Sequence, residues 1–531
     1  MKKWWAGFWA VVLVLSLVGC SSGKSNDAAT PSSSTGSANS GSGDNSAGSK
    51  TLTVAWQAVA STLDPVNATS DILAVNAYDR LIGYEVSPGD GDAAKAFGLK
   101  PMLAKSWTIS EDGLTYTFQL QDNASFQSGN PVTANSVKFS LERMRDSATG
   151  GFTYGLTQIE SITVQDDKTI VLKLKKANPK LLQMLAMYWF SILDDKLVQE
   201  KGDAYVNDHA VGSGPYIIEK WDPSSEVIFK ANKNYWAGAP KIDQITMKYI
   251  KEASNRLMLL KNGDIDVSIE LPPKDLKDLK SATNLTVHSN SSNRILFLAM
   301  NMNKEPFTNP KVRQALSYAV PYDQLIEDVM FNEARPMRSS VPSNTPGSTD
   351  EGYEYRYDLD KAKQLLTEAG FPNGFNFDLT VGSGYPDWDD DAILLQASFA
   401  KIGVNMNIKN VARPQFLEMQ KQRTMDAYIS RWTSMVYDPS WHLGLLMDSK
   451  GTGNYHGYNN PTVDQLLQQA NDERDETKRM ALYHQAQKII TADAPWLYLY
   501  QYNRIVGVSN NVTGYKFYPD EFIRFADLDK A

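Results

Sequence analysis

Apolar and polar residues alternate in several short runs of this chain. Tyr116, Phe118 and Leu120 fall on one face of Thr115–Leu120, the period-two pattern of a half-buried strand. Ile170, Leu172 and Leu174 repeat it, as do Ile245, Met247 and Tyr249, and again Val404, Met406 and Ile408. Thr51–Trp56 reads as a further strand. Elsewhere the period lengthens to that of a helix. Asn309-Pro310 offers a cap and a first-turn proline ahead of the stripe Val312, Ala315, Leu316 and Ala319. Asp358 opens a helix striped by Ala362, Leu365, Leu366 and Ala369, which Gly370 stops. Pro372-Asn373-Gly374 then turns the chain into a strand over Phe375–Val381. Met480, Tyr483, Ala486 and Ile490 line one face of a late helix. Strands and helices interleave throughout, which predicts an α/β protein of more than one lobe. No fixed-period repeat is present, which argues against solenoids and propellers.

The N-terminus breaks this pattern. Lys2 and Lys3 precede an almost wholly apolar run, Trp4 to Val18, closed by Gly19-Cys20. The run is short for a membrane span and fits the apolar region of a signal peptide. Leu17-Val18-Gly19-Cys20 resembles the bacterial lipobox, with Val18 where Ala or Ser is usual. The resemblance implies that residues 1–19 are removed and that Cys20 becomes a lipidated first residue. The alternative is an uncleaved anchor with a bystander cysteine. Residues 21–50 are mostly Ser, Gly, Asn, Ala and Thr, without Leu, Ile, Val or an aromatic. They predict a flexible linker spanning on the order of 30 Å. Gly19–Ser25 (GCSSGKS) looks like a phosphate-binding loop, but it is one residue short and follows no strand.

At 531 residues, 42% hydrophobic and 21% charged, the composition is that of a globular protein with two or three domain-sized units. The formal net charge is −8, and loss of Lys2 and Lys3 with the signal segment makes it −10. An acidic body without a long basic run disfavours nucleic acid as a partner. It should not bind an anionic bilayer except through its tether. Cys20 is the sole cysteine, so no intrachain disulfide and no cysteine-based metal site can form.

Enzyme motifs are missing: there is no G-x-S-x-G, H-E-x-x-H or dinucleotide G-x-G-x-x-G. Gly212-Ser213-Gly214-Pro215 reads as a turn. Of five histidines, His442 and His456 flank one aromatic segment, and surface or pocket hydrogen bonding is favoured over metal ligation. Asp389-Asp390-Asp391 reads as a solvated loop or helix start. The positive signal is Arg431–His442 (RWTSMVYDPSWH), dense in flat apolar side chains with a few polar groups. Such a composition suits a ligand pocket or a buried core segment.

Five blocks in order carry a resemblance. They are Leu103–Met144 (LAKSWTISEDGLTYTFQLQDNASFQSGNPVTANSVKFSLERM), Gly212–Trp236 (GSGPYIIEKW…NKNYW), Leu257–Val267 (LMLLKNGDIDV), Val312–Leu316 (VRQAL) and Asp360–Gly370 (DKAKQLLTEAG). From about Thr51 to Leu528 the chain resembles the bacterial extracellular solute-binding proteins of family 5, which serve oligopeptide, dipeptide and nickel ABC importers. The resemblance implies a two-lobed periplasmic-binding-protein fold with a subdomain inserted in lobe I. Mapped here, lobe I is 51–84 with 212–306 and 497–531, the insert is 85–211, and lobe II is 307–496. It further implies a non-enzymatic receptor without cofactor or bound metal. This would be a monomer that hands a peptide or peptide-like solute to a permease and ATPase at the outer face of the cytoplasmic membrane.

Trp432, Arg431, Met435, Tyr437, Trp441, His442 and Arg413 are the implied ligand contacts. In the peptide binders an Asp three residues after the tryptophan pairs with the ligand's amino group. Here Met435 holds that position and offers no charge. Asp438-Pro439 retains the family's Asp-Pro, which reads as structural. Arg431, with Arg413, suits an acidic ligand held bidentately. A nickel chelate, an opine or an oligosaccharide is the alternative cargo. A surface hydrolase and a peptide-sensing adhesin are the readings from other classes.

Overall fold

A computed structural model describes residues 49–58, 60–67, 71–86, 98–147, 155–279 and 281–531. Cys20 and the expected signal segment lie outside the described residues, as does the linker up to residue 48.

One large mixed sheet forms the spine. From edge to edge its strands are Asn405–Val411, Asn376–Gly382, Ala427–Thr433, Leu285–Met300, Trp496–Ser509, Val267–Ile269, Thr51–Trp56, Gln244–Tyr249, Glu226–Ala231 and Tyr216–Asp222, with Ala334–Pro336 added on Trp496–Ser509. Two strands dominate: Leu285–Met300 has 16 residues and Trp496–Ser509 has 14, against a common strand length of about 5–6. They pair antiparallel from Leu285↔Ser509 to Ser291↔Asn503, lose register, and resume from Ile295↔Gln501 to Ala299↔Trp496. On the near side Val267–Ile269 extends the sheet; on the far side Ala427–Thr433 pairs with Arg294–Met300. The same two strands therefore belong to both halves.

Each half buries its own apolar faces. Leu52, Val54, Phe229, Ile245, Met247 and Phe525 pack in the near half. Leu298, Leu316, Leu366, Leu379, Trp388 and Ile429 pack in the far half. A separate four-stranded antiparallel sheet, Ala104–Ile109, Thr115–Leu120, Thr169–Leu174 and Ile159–Asp166, carries the helix Ala134–Asp146. Thr133 and Ser136 close that helix with a reciprocal capping box. Its core continues into the far half, reaching Trp441, Leu446 and Tyr483. Among the described residues no helix is long and apolar enough to cross a membrane.

The periodic readings hold at Thr51–Trp56, Thr115–Leu120, Thr169–Leu174 and Gln244–Tyr249. Asn309 and Asp358 cap their helices, accepting from the amides of Lys311 at 3.0 Å and Lys361 at 2.9 Å. Gly370 follows its helix at φ +89°.

Three readings need correction. The acidic run does start a helix, Pro386–Ala400, but Asp391 is fully buried rather than solvated. It accepts the Tyr500 hydroxyl at 2.7 Å, and burial pushes its carboxyl well above the usual range. Helical spacing puts it on the inward face with Trp388 and Leu395, which three consecutive carboxylates conceal in the sequence. His442 and His456 are also core residues, and no ring nitrogen of either has a hydrogen-bond partner among the described residues. Burial pushes both imidazoles down to about 3. Gly212–Pro215 is more than a turn. A Cβ on Gly214 would stand 2.5 Å from the Ala77 carbonyl carbon, so glycine there permits one backbone to lie against another.

Candidate functional site

A cavity of about 390 Å³ opens where the two halves of the sheet meet. The near half contributes Gln57, Glu270 and the start of the helix Ala253–Asn262; the far half contributes Phe331, Pro386, Asp387, Asp390 and Arg431. The long strands supply Arg294, Tyr502 and Arg504. A strand turns alternate side chains to one face, so Tyr500, Tyr502 and Arg504 point the same way. The helix Pro386–Ala400 climbs about 6 Å in four residues, and the strand about 6.6 Å in two. Asp387 and Asp391 therefore match Tyr502 and Tyr500, whose hydroxyls they accept at 2.6 and 2.7 Å. This pairing fixes the start of the helix at the cavity wall and leaves Asp390 on the lining.

Glu270 is the most heavily engaged charge. It follows the strand Val267–Ile269 at φ +61°. One carboxylate oxygen accepts from Arg294 at 3.1 Å and from Arg504, and the other accepts from Gln57. Burial opposes its ionisation, but Arg504, Arg294 and Arg431 together hold the carboxyl well below the usual range. Arg256 braces the same corner, donating to the carbonyls of Ile250, Lys251 and Glu270 at 2.7–2.8 Å.

Arg431 differs from these. Its half-buried guanidinium lies 4.7 Å from the centre of the Tyr385 ring and has neither a hydrogen bond nor an ion pair among the described residues. Arg413 approaches the same ring at 5.5 Å and is flanked by Trp388 at 5.8 Å and Phe416 at 5.1 Å. Its buried Nη1 has no acceptor. Tyr385 in turn stacks on Trp388 at 4.1 Å. The two arginines thus share one aromatic platform, an arrangement that leaves donors available to an anion.

The rest of the aromatic segment divides. Trp432 and Met435 are half-buried against the core shared with the inserted sheet, and the Met435 carbonyl accepts the Tyr84 hydroxyl at 2.7 Å. Tyr437, Trp441 and His442 are buried, and of the seven residues expected from the sequence only Arg431 lines the cavity; Trp432, Met435 and Arg413 do not. Asp438 caps the helix Pro439–Leu446 through the Ser440 amide at 3.0 Å and forms a buried ion pair with Arg479. Although burial opposes its ionisation, Lys180 and Arg479 hold it in the charged form. Other charged residues of the cavity include Glu270, Arg294, Arg504 and the pair Asp387 and Asp390, from four separate segments. Apart from the acidic run that contains Asp390, no local motif announces them.

Comparison with known proteins places this geometry. The chain is 29% identical to the probable D,D-dipeptide-binding periplasmic protein DdpA of Escherichia coli (strain K12), over 86% of this chain and 90% of that one. It is 30% identical to heme-binding protein A of Haemophilus influenzae, over 82% and 84%. The solved periplasmic binding protein DppA of Helicobacter pylori, in complex with the peptide STSA, superposes with a TM-score of 0.78 at 28% identity, covering 90% of this chain and 98% of that one. The fold is the two-lobed one of the periplasmic binding proteins. Residues 98–454 match the profile described as bacterial extracellular solute-binding proteins, family 5 middle. This chain belongs to the bacterial extracellular solute-binding proteins, family 5.

Proposed function

We propose that this chain is the receptor of an ABC importer and captures a peptide or peptide-like solute between its lobes. The observation that carries the reading is the cavity, whose walls come from both lobes while only the two long strands run through both. A solute touching both walls binds the closed arrangement better than the open one, and that difference drives closure. About 390 Å³ suits a small solute. The relatives named for dipeptides and for a bound peptide support the cargo class. The relative named for heme keeps a non-peptide cargo as the second reading, since Met435 supplies no carboxylate for an amino group.

Arg431 is the proposed polar contact. Arg413 supports it through Tyr385, while Trp432 and Met435, packed on the core at the other face of the strand Ala427–Thr433, would meet only a solute that extends beyond the cavity. Tyr437, Trp441 and His442 would act from behind them. Lobe I would comprise 51–84, 212–306 and 497–531, lobe II 307–496 and the insert 85–211. At the N-terminus, removal of residues 1–19 and lipidation of Cys20 would tether the receptor by residues 21–50 to the outer face of the cytoplasmic membrane. There, as a monomer, it would meet its permease and ATPase.

Calorimetry against an equimolar panel of di- to pentapeptides, with tryptophan fluorescence as the closure signal, tests this reading. At least one length class is expected to bind at micromolar concentration and shift the emission. Saturable binding of heme with no response to any peptide would replace the cargo by the second reading.

A further inference from the structure

We propose that a second cavity, on the near half and lined by Arg80, Lys100 and Arg524, is a binding site for one small tetrahedral oxyanion such as phosphate or sulfate. It shares no lining residue with the interlobe cavity and does not depend on the identity of the cargo. Its volume is about 120 Å³, against about 390 Å³ between the halves, which suits a small ion rather than a peptide. Its walls come from the helix Asp71–Ala77, the paired strands Ile82–Tyr84 and Leu99–Pro101, and the C-terminal segment that carries Tyr518, Arg524 and Asp527.

Arg80 is 2% exposed, yet its Nε and Nη1 have no acceptor among the described residues, and Nη2 meets only the Met102 sulfur at 3.7 Å. A thioether is a weak acceptor, and a guanidinium keeps its charge when buried. The carboxylates around it are engaged elsewhere. Asp79 accepts from Ser213, Tyr235 and Trp236, and burial pushes its carboxyl above the ordinary value. Asp520 pairs with Arg524, while Asp527 accepts from Lys516 at 2.9 Å and from the Tyr518 hydroxyl at 2.6 Å. Asp520 and Asp79 favour the charge on Arg80 without pairing with it. Burial and then Arg524 outweigh them and push the guanidinium down to about 10. Lys100 lies 5.8 Å from the centre of the Tyr518 ring and has no ion pair among the described residues. Arg80 at the inner wall and exposed Lys100 at the mouth thus face one space without an anion of their own. Water there would satisfy N–H groups but leave a buried charge unbalanced. An oxyanion presents oxygens on several sides and answers both cations at once. It would also tie the strand Ile82–Tyr84, from which Tyr84 reaches the Met435 carbonyl, to the C-terminal segment.

Calorimetry and melting temperatures test the site with inorganic phosphate, sulfate and acetate, each against sodium chloride at matched ionic strength. Phosphate or sulfate is expected to bind one ion per chain at millimolar concentration or below and to raise the melting temperature saturably. Arg80→Met exchanges the buried charge for an apolar chain. It should weaken that binding at least tenfold and remove the anion-dependent rise, while melting no lower than the wild type in the absence of anion. Lys100→Met, at the exposed mouth, should weaken binding about threefold and leave the anion-free melting temperature unchanged. If Arg80→Met does not fold, Lys100→Met decides. A wild-type response no larger than that to sodium chloride would overturn the inference, and so would acetate binding more tightly than phosphate and sulfate. Wild-type affinity in Arg80→Met or in Lys100→Met would mean an adventitious ion only and would overturn it too.

Discussion

At the scale of single residues, buried polar groups carry most of the information. Asp438 and Arg479 pair inside the far half, and loss of one partner would strand the other away from water. His456 has no such partner. It lies 5.5 Å from the Trp496 ring and is neutral at ordinary pH, with its imidazole pushed down to about 3. In the unfolded chain it would titrate near the ordinary value of about 6.5. Between those values the unfolded state binds more protons, so this residue's contribution to stability is complete above about pH 6.5 and is lost as pH falls toward 3. Asp71 acts in the opposite sense. Burial pushes its carboxyl up to about 7, so it favours the folded state less as pH rises through that range. A difference experiment separates them. His456→Phe is expected to reduce the slope of unfolding free energy between pH 6 and 4 by up to about 1.4 kcal/mol per pH unit, read from urea midpoints. Unchanged slopes would mean that the imidazole is not buried neutral. The structural part of Asp438 was legible from the sequence; the burial of His456 was not, because a histidine in an aromatic stretch has the same letters whether it faces a ligand or a core.

At the scale of elements, caps and periodicity were legible and closures in space were not. The block Gly212–Trp236 shows why. Ser213, Tyr235 and Trp236 all donate to the buried carboxylate of Asp79, at 3.0, 2.9 and 2.8 Å. Gly214 allows this by lying against Ala77, to whose carbonyl its amide donates at 3.0 Å. The glycines, the serine and the Tyr-Trp pair are thus parts of one joint whose fourth member lies far earlier in the chain. Gly214→Ala is expected to cost about 1–3 kcal/mol by forcing the two backbones apart, measured as a fall in the urea midpoint at unchanged slope. The helix Pro386–Ala400 teaches the same lesson. Its acidic start was visible, but its match to Tyr500 and Tyr502 depends on a strand more than a hundred residues away.

At the scale of the whole molecule, the halves are joined by more than their shared core. The long strands cross the junction through a break in register between Ser291 and Ile295. There Glu521 accepts from the Asn293 amide at 2.9 Å, and Gln501 donates to the Ser292 carbonyl at 2.7 Å. Away from the strands, Tyr84 reaches across to the Met435 carbonyl. Tyr84→Phe removes one oxygen and about 0.5–1.5 kcal/mol from the closed arrangement. Solute affinity is expected to fall about 2- to 10-fold, with a larger radius of gyration in solution scattering. Equal affinity would show that the contact does not discriminate between open and closed. The register of the long strands has a consequence for the history and reuse of the gene. Ile295 and Gln501 stand opposite each other, a few ångströms apart, so the intervening chain leaves and returns at one doorway. The far half is in effect a cassette. Recombination can exchange it between relatives at two codon sites that are far apart in the gene but adjacent in the fold, replacing one wall of the cavity while the other is inherited unchanged.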